Sequence, residues 1–285
     1  MMAKVILVIV VLVLLFLLGG LIFPYLFHSQ QNSQRENCKN HYRILGTIGL
    51  QSPSIPNGPM PATVVDYLPA GTFDRTQVPV ADRCSWYVWT LNVVDQGPSN
   101  PELKIGHRSP KGLAEILPMF AADAAWNEGD NSRISHYFLK IARCPAVYSP
   151  VGENTPQLAN YVANGGIGNG TPAEPLVKQS ANAGAFRYDG NTPFSLIVDG
   201  LSNTIALLET NSEIPPWLKG GSATLRTLEK NENEPLGEGK SFGGCHEGGI
   251  MVCFADGSAR FIGGTIDPQV FRTHLTISDE MTPVE

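Results

Sequence analysis

The chain has 285 residues, enough for one soluble domain of about 240 residues beyond an apolar N-terminal segment. Its 20 basic and 26 acidic residues give a net charge of -6 and form no basic cluster, so no nucleic-acid partner is expected. The 29 glycines and 22 prolines favour short strands and ordered loops over a helical bundle.

The first predicted element is the block VILVIVVLVLLFLLGGLIF, which carries no charge from Val5 to Phe23 and stays apolar to Phe27. About 20 residues at 1.5 Å each match the hydrocarbon core, so residues 5–27 are predicted as a transmembrane helix after a cytoplasmic tail, residues 1–4. A cleavable secretory signal is the alternative, but the block is long for one and no A-x-A-like site follows. Flanking charges leave the orientation open. The short tail and large following domain favour a single-pass, N-in protein of the cell membrane.

Residues 28–50 are predicted to extend this helix beyond the membrane. Small and apolar residues recur on one of its faces at steps of three to four, namely Cys38, Tyr42, Leu45 and Gly49. Four prolines within residues 51–61 then exclude both helix and central strand. The remainder, residues 51–285, is predicted to form a β-rich head outside the cytoplasm.

Short apolar runs in the head predict strands. They lie at residues 63–68, 84–94, 161–163, 194–198, 204–209 and 249–255. A helix is predicted over residues 111–125, with Pro118 as a kink or stop, and the pattern over residues 131–144 is ambiguous.

The strongest local pattern is GIMVCFADGSARFI at residues 249–262, which predicts a β-hairpin around an Asp256-Gly257 turn. Alternation gives the first strand two apolar faces, one with Met251, Cys253 and Ala255 and the other with Ile250, Val252 and Phe254. Because both faces are apolar, this strand is predicted to be central in its sheet.

His246, nine further residues and Asp256-Gly257 resemble the signature of a bacterial family, the prepilin-type processing-associated H-x9-DG proteins or domain of unknown function 1559. Other segments are similar to that family in the same order. They are residues 35–50 with Cys38 and Asn40, the step Arg143-Cys144-Pro145, the Gly-containing loop at residues 160–166, and residues 197–210 with Asp199, Gly200 and Glu209. The resemblance implies an α+β, type IV pilin-like architecture. In it a long N-terminal helix, half in the membrane, packs by its outer half on a β-rich globular head of mainly antiparallel short strands.

The N-terminal region departs from that pattern. Pilin-like proteins usually begin with a short basic leader, a Gly-Phe cleavage junction and a Glu five residues into the mature helix. None of these occurs here, and Gly19-Gly20 lies within the apolar block. The resemblance thus supports a pseudopilin-like shape and anchoring, and gives little reason to expect cleavage by prepilin peptidase or a pilus subunit.

The polar residues of the two family segments have two interpretations each. In the first interpretation Asp256 and Gly257 form the turn and His246 hydrogen-bonds a neighbouring loop. In the second, His246 and Asp256 bind a ligand. Asp199 and Gly200 form a structural turn, or Asp199, Asn203 and Glu209 offer oxygen atoms to calcium. The structural interpretation is favoured in both cases, and no cofactor is predicted, with calcium as the alternative.

The five cysteines are Cys38, Cys84, Cys144, Cys245 and Cys253. None forms a C-x-x-C pair, so no metal site is predicted. Outside the cytoplasm thiols tend to form disulfides. The family resemblance makes Cys38–Cys144 the candidate disulfide, Cys245–Cys253 is a weaker second, and buried free thiols are the alternative.

No catalytic pattern is present, neither G-x-S-x-G nor Ser-x-x-Lys, so no enzyme is predicted. The aromatic run of Trp86, Tyr87 and Trp89 fits a core better than a sugar- or peptide-stacking surface. The expectation is a non-enzymatic, membrane-anchored protein that acts in envelope architecture, secretion-related assembly or adhesion through protein partners. The alternative is an extracytoplasmic binding module for a small molecule, glycan or metal.

Overall fold

The computed structural model describes residues 2–50, 67–73, 78–90, 117–147, 155–168 and 182–278, without the side chains of positions 2–3, 5–8, 13–15, 17–19, 21, 24, 48–50, 73 and 117. The α-helices bounded within these ranges are α1 (Met2–Ile44), α2 (Gly129–Ser135) and α3 (Pro268–Leu275). The strands in them are β1 (Tyr67–Leu68), β2 (Thr72–Phe73), β3 (Cys84–Ser85), β4 (Tyr161–Ile167), β5 (Thr192–Pro193), β6 (Ile205–Glu209), β7 (Leu225–Leu228), β8 (Gly249–Phe254) and β9 (Ala259–Gly263). The predicted α+β class is confirmed.

Helix α1 is continuous over 43 residues and passes into a π-helical turn, Leu45–Leu50. Its outer end is buried in the head, where Cys38, Tyr42 and Leu45 are fully inaccessible to solvent. Many apolar side chains nearer its N-terminus are exposed, among them Leu12, Phe16 and Phe23. For the residues whose placement is described, no helix has both the length and the apolarity needed to cross a membrane.

The centre of the head is a five-stranded sheet in the order β7-β4-β6-β8-β9. All neighbouring strands in it are antiparallel except β4 and β7, which are parallel. Two small antiparallel pairs, β1 with β5 and β2 with β3, lie outside this sheet. The H-x9-DG hairpin therefore forms one edge of the main sheet, with β8 inside and β9 at the border.

The two faces of β8 line two separate hydrophobic cores, as its alternation predicts. Met251, Cys253 and Ala255 pack in the larger core with the end of α1 and with Trp86, Tyr87 and Trp217. Ile250, Val252 and Phe254 pack in a smaller core against Phe271 and Leu275 of α3. The sheet is thus covered by α1 on one face and by α3 on the other, and the prediction for this strand is confirmed.

Three sequence predictions are wrong in part. Residues 194–198 do not form a strand, because Phe194–Leu196 coil into a 3-10 turn after Pro193, closed by the Ile197 amide on the Phe194 carbonyl at 3.0 Å. Of the predicted strand at residues 84–94, only Cys84–Ser85 pairs, and residues 91–94 lie outside the described ranges. After it the chain turns so that the Trp86 and Tyr87 rings stack 3.9 Å apart in the core, which agrees with the core interpretation of this aromatic run.

The helix predicted over residues 111–125 is also wrong where it is described. Leu117–Met119 form a 3-10 turn around Pro118 and turns follow, while residues 111–116 lie outside the described ranges. The buried Asn131 amide donates to the carbonyls of Ala121, Ala124 and Ala125, and so it occupies acceptors that a helix would use. The ambiguous segment from residue 131 resolves into α2 and a 3-10 turn, Lys140–Ala142.

Candidate functional site

Four buried side chains from distant parts of the chain converge beneath the end of α1. They are Cys38 on α1, Cys144 after the Lys140–Ala142 turn, Glu209 at the end of β6, and His246 just before β8. One ligand atom from each lies within 4.8 Å of all the others. Their residues are between 0% and 8% exposed, so the cluster is closed to bulk solvent.

The polar atoms of the cluster are in direct contact. The Cys38 thiol donates to Glu209 Oε1 at 3.0 Å, and the Cys144 Sγ lies 3.3 Å from His246 Nε2. The same imidazole nitrogen is 3.4 Å from Glu209 Oε1. Each group therefore faces a common centre rather than a separate partner.

Backbone amides fix the orientation of the Glu209 carboxylate. Its Oε2 accepts from the Met251 amide at 3.0 Å and from the Cys245 amide at 3.3 Å. The Met251 donor follows from the antiparallel register of β6 with β8, in which Leu208 lies opposite Val252, whereas Cys245 belongs to the loop before β8. With Oε2 occupied, the other oxygen points at the thiols and the imidazole.

Tyrosines line the side of the cluster near α1. The Tyr161 hydroxyl lies 3.3 Å from the Cys38 Sγ and 3.3 Å from His41 Nδ1. The rings of Tyr42 and Tyr161 are 4.4 Å apart. The buried Tyr42 hydroxyl has no hydrogen-bond partner in the part of the chain that the structure describes. An unsatisfied polar atom of this kind is uncommon in a core and needs a physical reason.

Burial and the close approach of several acidic groups shift the pKa values of the cluster. Burial raises the pKa of Glu209, and burial with hydrogen bonding to Cys144 raises the pKa of Cys38. Hydrogen bonds from the Cys245 and Cys38 thiols lower the pKa of Cys144. Burial by itself lowers the pKa of His246, but its hydrogen bonds to Cys144 and Glu209 and their negative charge raise it to about 9. The cluster thus favours one thiolate paired with an imidazolium.

A surface groove reaches one member of the cluster, His246. It lies between α1 and the loop before β8, and its lining includes Gln34, Arg35, Cys245 and His246. At its rim the Gln31 amide donates to the Glu247 carboxylate at 2.7 Å. The groove brings the surface close to His246, which at 8% is the most exposed of the four residues.

The family model described as protein of unknown function (DUF1559) matches residues 62–216, more than half of the chain. The chain belongs to this family. No curated protein and no solved structure matches it. Within this DUF1559 chain, Cys144 and Glu209 lie in the matched part, whereas Cys38 and His246 lie on either side of it.

The structure separates His246 from Asp256, the two ends of the H-x9-DG signature. His246 enters the cluster, while Asp256 is in the turn between β8 and β9 and accepts the Ser258 amide at 2.8 Å. Gly257 follows with a φ of +81°, a conformation that glycine adopts without strain. Asp256 and Gly257 are therefore used locally, as turn residues.

The oxygen set considered for calcium is also separated. Asp199 and Gly200 precede β6, where the Asn203 amide donates to the Asp199 carbonyl at 2.9 Å and Gly200 has a φ of +92°. Glu209 ends the same strand and faces the thiols. The oxygen atoms of Asp199, Asn203 and Glu209 therefore do not converge on one point.

Cys38 and Cys144, the first predicted pair, lie close together but form no disulfide. Cys38 and Cys144 are free thiols within the cluster. Cys245 and Cys253 are also free, with Cys245 on the Thr210 carbonyl and Cys253 on the Tyr42 carbonyl. Sequence reasoning missed the convergence of Cys38, Cys144, Glu209 and His246, because no short spacing motif links them. The available signal was that each lies in a different segment that resembles the family.

Three kinds of chemistry fit a thiol, an imidazole and a carboxylate: nucleophilic catalysis, disulfide exchange and metal binding. A nucleophilic or exchanging thiol must be accessible to its substrate. Cys144 is 1% exposed and Cys38 is 0% exposed, so neither can meet a macromolecule. A closed set of inward-facing donors is what a structural metal site requires.

Proposed function

We propose that this DUF1559 protein is a non-enzymatic, membrane-anchored component of the cell envelope with a pilin-like shape. It presents its head outside the cytoplasm on α1 and acts in envelope architecture, secretion-related assembly or adhesion through protein contacts. The observation that carries the proposal is the course of α1. Several apolar side chains near the N-terminus of this single helix are exposed, and its other end is held in the core of the head.

The hairpin contacts α1 near one end of β8 and the π-helical turn after α1 near the other end. These two contacts support a rigid connection between helix and head. At the His246 end, the Cys38 thiol meets Glu209 beside the imidazole. At the turn end, Gly46 lies so close to Gly257 that a Cβ on Gly46 would be 2.8 Å from its Cα. Force or movement transmitted along α1 therefore reaches the sheet directly.

Further contacts on the solvent side strengthen this connection. The Arg35 guanidinium donates to the Glu247 carbonyl and lies 4.6 Å from the centre of the Phe261 ring. A cation over an aromatic face contributes about 0.5–1 kcal/mol at an exposed site. The H-x9-DG hairpin thus serves as the docking platform for the helix.

Membrane anchoring rests on the sequence of residues 5–23, which offers no charge to stop insertion. Each arginine near the centre of a spanning helix opposes insertion by about 2.5–3.5 kcal/mol. The double substitution Leu12→Arg with Phe16→Arg should therefore release the protein from membranes. Both side chains are exposed, so the double variant leaves the core of the head unchanged.

The test is fractionation of a bacterial host that expresses the full chain, with alkaline extraction of the membranes. Wild-type protein should stay in the membrane pellet, and the double arginine variant should move to the soluble fraction. Val198→Arg is the matched control, because Val198 is 70% exposed on the head and its substitution should leave the protein in the pellet. Soluble wild-type protein would refute the anchor.

The orientation and the protein contacts need two further measurements. Protease added to spheroplasts should digest the head, whereas a head protected until the membrane is lysed would refute the N-in orientation. Cross-linking in intact cells should join the head to other envelope proteins. Recovery of the uncross-linked chain alone, under conditions that cross-link a known envelope complex, would refute action through protein partners.

A further inference from the structure

We propose that Cys38, Cys144, Glu209 and His246 form a structural zinc site that fastens α1 to the sheet. The four donors come from α1, from the loop after the Lys140–Ala142 turn, from β6 and from the loop before β8. No two of them are neighbours in the sequence. A metal bound there would join the anchor helix to three separate parts of the head.

The spacing of the donor atoms fits a tetrahedral site. With zinc at about 2.3 Å from sulfur and about 2.0–2.2 Å from nitrogen or oxygen, tetrahedral donors are separated by about 3.3–3.8 Å. The observed separations are 3.3 Å for Cys144 Sγ to His246 Nε2 and 3.4 Å for His246 Nε2 to Glu209 Oε1. The Cys38 Sγ to Glu209 Oε1 distance is 3.0 Å. The widest separation among the four donor atoms is within 4.8 Å, so shifts of about 1 Å would place all four on one ion.

The donor types favour zinc over other common cations. Thiolates and imidazole are ligands for zinc and Cu(I), and a carboxylate suits zinc better than Cu(I). Calcium requires six to eight oxygen atoms, of which this cluster supplies one facing inward. Four protein donors without an open position are typical of structural rather than catalytic zinc.

The surroundings have the supporting contacts that a metal site needs. Two backbone amides hold Glu209 Oε2, which leaves Oε1 as a single directed ligand. The groove past Arg35 and Cys245 brings the surface close to His246. The Tyr42 hydroxyl is buried without a partner among the described residues. Zinc would neutralise most of the negative charge that two thiolates and a carboxylate would carry in this buried place.

The experiment uses the full chain in detergent micelles, purified with a non-thiol reductant, with zinc supplied and without chelators. Elemental analysis should find one zinc per chain. Replacement by Co²⁺ should give thiolate-to-metal charge-transfer bands in the near ultraviolet and the intense visible bands of a tetrahedral site. Removal of zinc by a chelator should lower the melting temperature, and zinc, but not calcium, should restore it.

Substitutions separate the site from its surroundings. Cys144→Ser and His246→Ala should each weaken zinc binding by more than about 100-fold, the upper range for loss of a mere supporting contact. Cys84→Ser is the matched control, because Cys84 is buried elsewhere and contacts Asn131, and it should keep one zinc per chain. Tryptophan fluorescence checks that each variant is folded.

Several results would overturn the proposal. One is a folded, reduced wild-type chain that holds no zinc when zinc is supplied. Another is unchanged cobalt charge transfer in folded Cys144→Ser. A third is a Cys38–Cys144 disulfide in protein trapped with an alkylating agent directly from cells, since each sulfur would then be lost as a thiolate donor. Zinc-independent melting of the wild-type chain would equally reject a structural role.

Discussion

The π-helical turn that follows α1 meets the H-x9-DG hairpin at Gly46, where there is no room for a methyl group. A Cβ at this position would lie 2.6 Å from Cys253 Sγ, 2.8 Å from Gly257 Cα and 3.1 Å from Gly257 O. Gly257 cannot move aside at low cost, because its amide donates to the Phe254 carbonyl at 2.9 Å and its φ is +81°. The substitution Gly46→Ala should therefore push α1 away from the hairpin.

The size of the effect follows from two opposing contributions. Overpacking a close contact in a core typically costs about 1–3 kcal/mol. Alanine favours helix over glycine by up to about 1 kcal/mol, which offsets part of that cost. We expect Gly46→Ala to lower the free energy of unfolding by about 1–2 kcal/mol, which reduces the folded-to-unfolded ratio by roughly 5–30-fold.

The assay is urea unfolding of the full chain in detergent micelles, followed by the fluorescence of the buried Trp86 and Trp217. Gly263→Ala is the matched control, because Gly263 ends β9 and a methyl group added to it would meet no other atom within 4 Å. Removing the conformational freedom of that glycine should leave stability unchanged or raise it by up to about 1 kcal/mol.

The reasoning fails if Gly46→Ala is as stable as Gly263→Ala or more stable. Such a result would mean that the end of α1 moves freely against the hairpin. It would also remove the close contact on which the rigid connection between helix and head depends. A lower unfolding midpoint without a change in the denaturant dependence would locate the effect in stability alone.

Three further predictions use the same unfolding assay. Arg226→Lys should cost about 2 kcal/mol or more, because the guanidinium donates to four backbone carbonyls and a hydroxyl that one ammonium cannot span; equal stability would contradict this. Asn164→Asp should lower the free energy of unfolding by about 3 kcal/mol or more, because it turns a carboxylate towards the Ile205 and Leu275 carbonyls. This loss should be larger than that of Asn164→Ala. Asp267→Ala should cost about 1 kcal/mol and Asp267→Asn less, because the side chain caps α3; equal losses would exclude capping.

The sequence by itself determined those elements whose buried faces follow from a local alternation of apolar residues. The alternation of Met251 and Cys253 against Ile250 and Val252 predicts a strand with two apolar faces, and both faces line cores. The turn at Asp256-Gly257 is equally local, because glycine at φ +81° and an Asp side chain on the next-but-one amide close it without distant contacts.

Only the tertiary structure decided the cluster. Cys38 and Glu209 are 171 residues apart, and Cys144 and His246 are 102 apart, so no short spacing could join them. Their meeting depends on the β6–β8 register, which turns Glu209 towards the Met251 amide, and on the end of α1 lying across that strand. Side-chain alternation fixes which face a residue occupies, but the pairing of distant strands and helices fixes which residues share a centre.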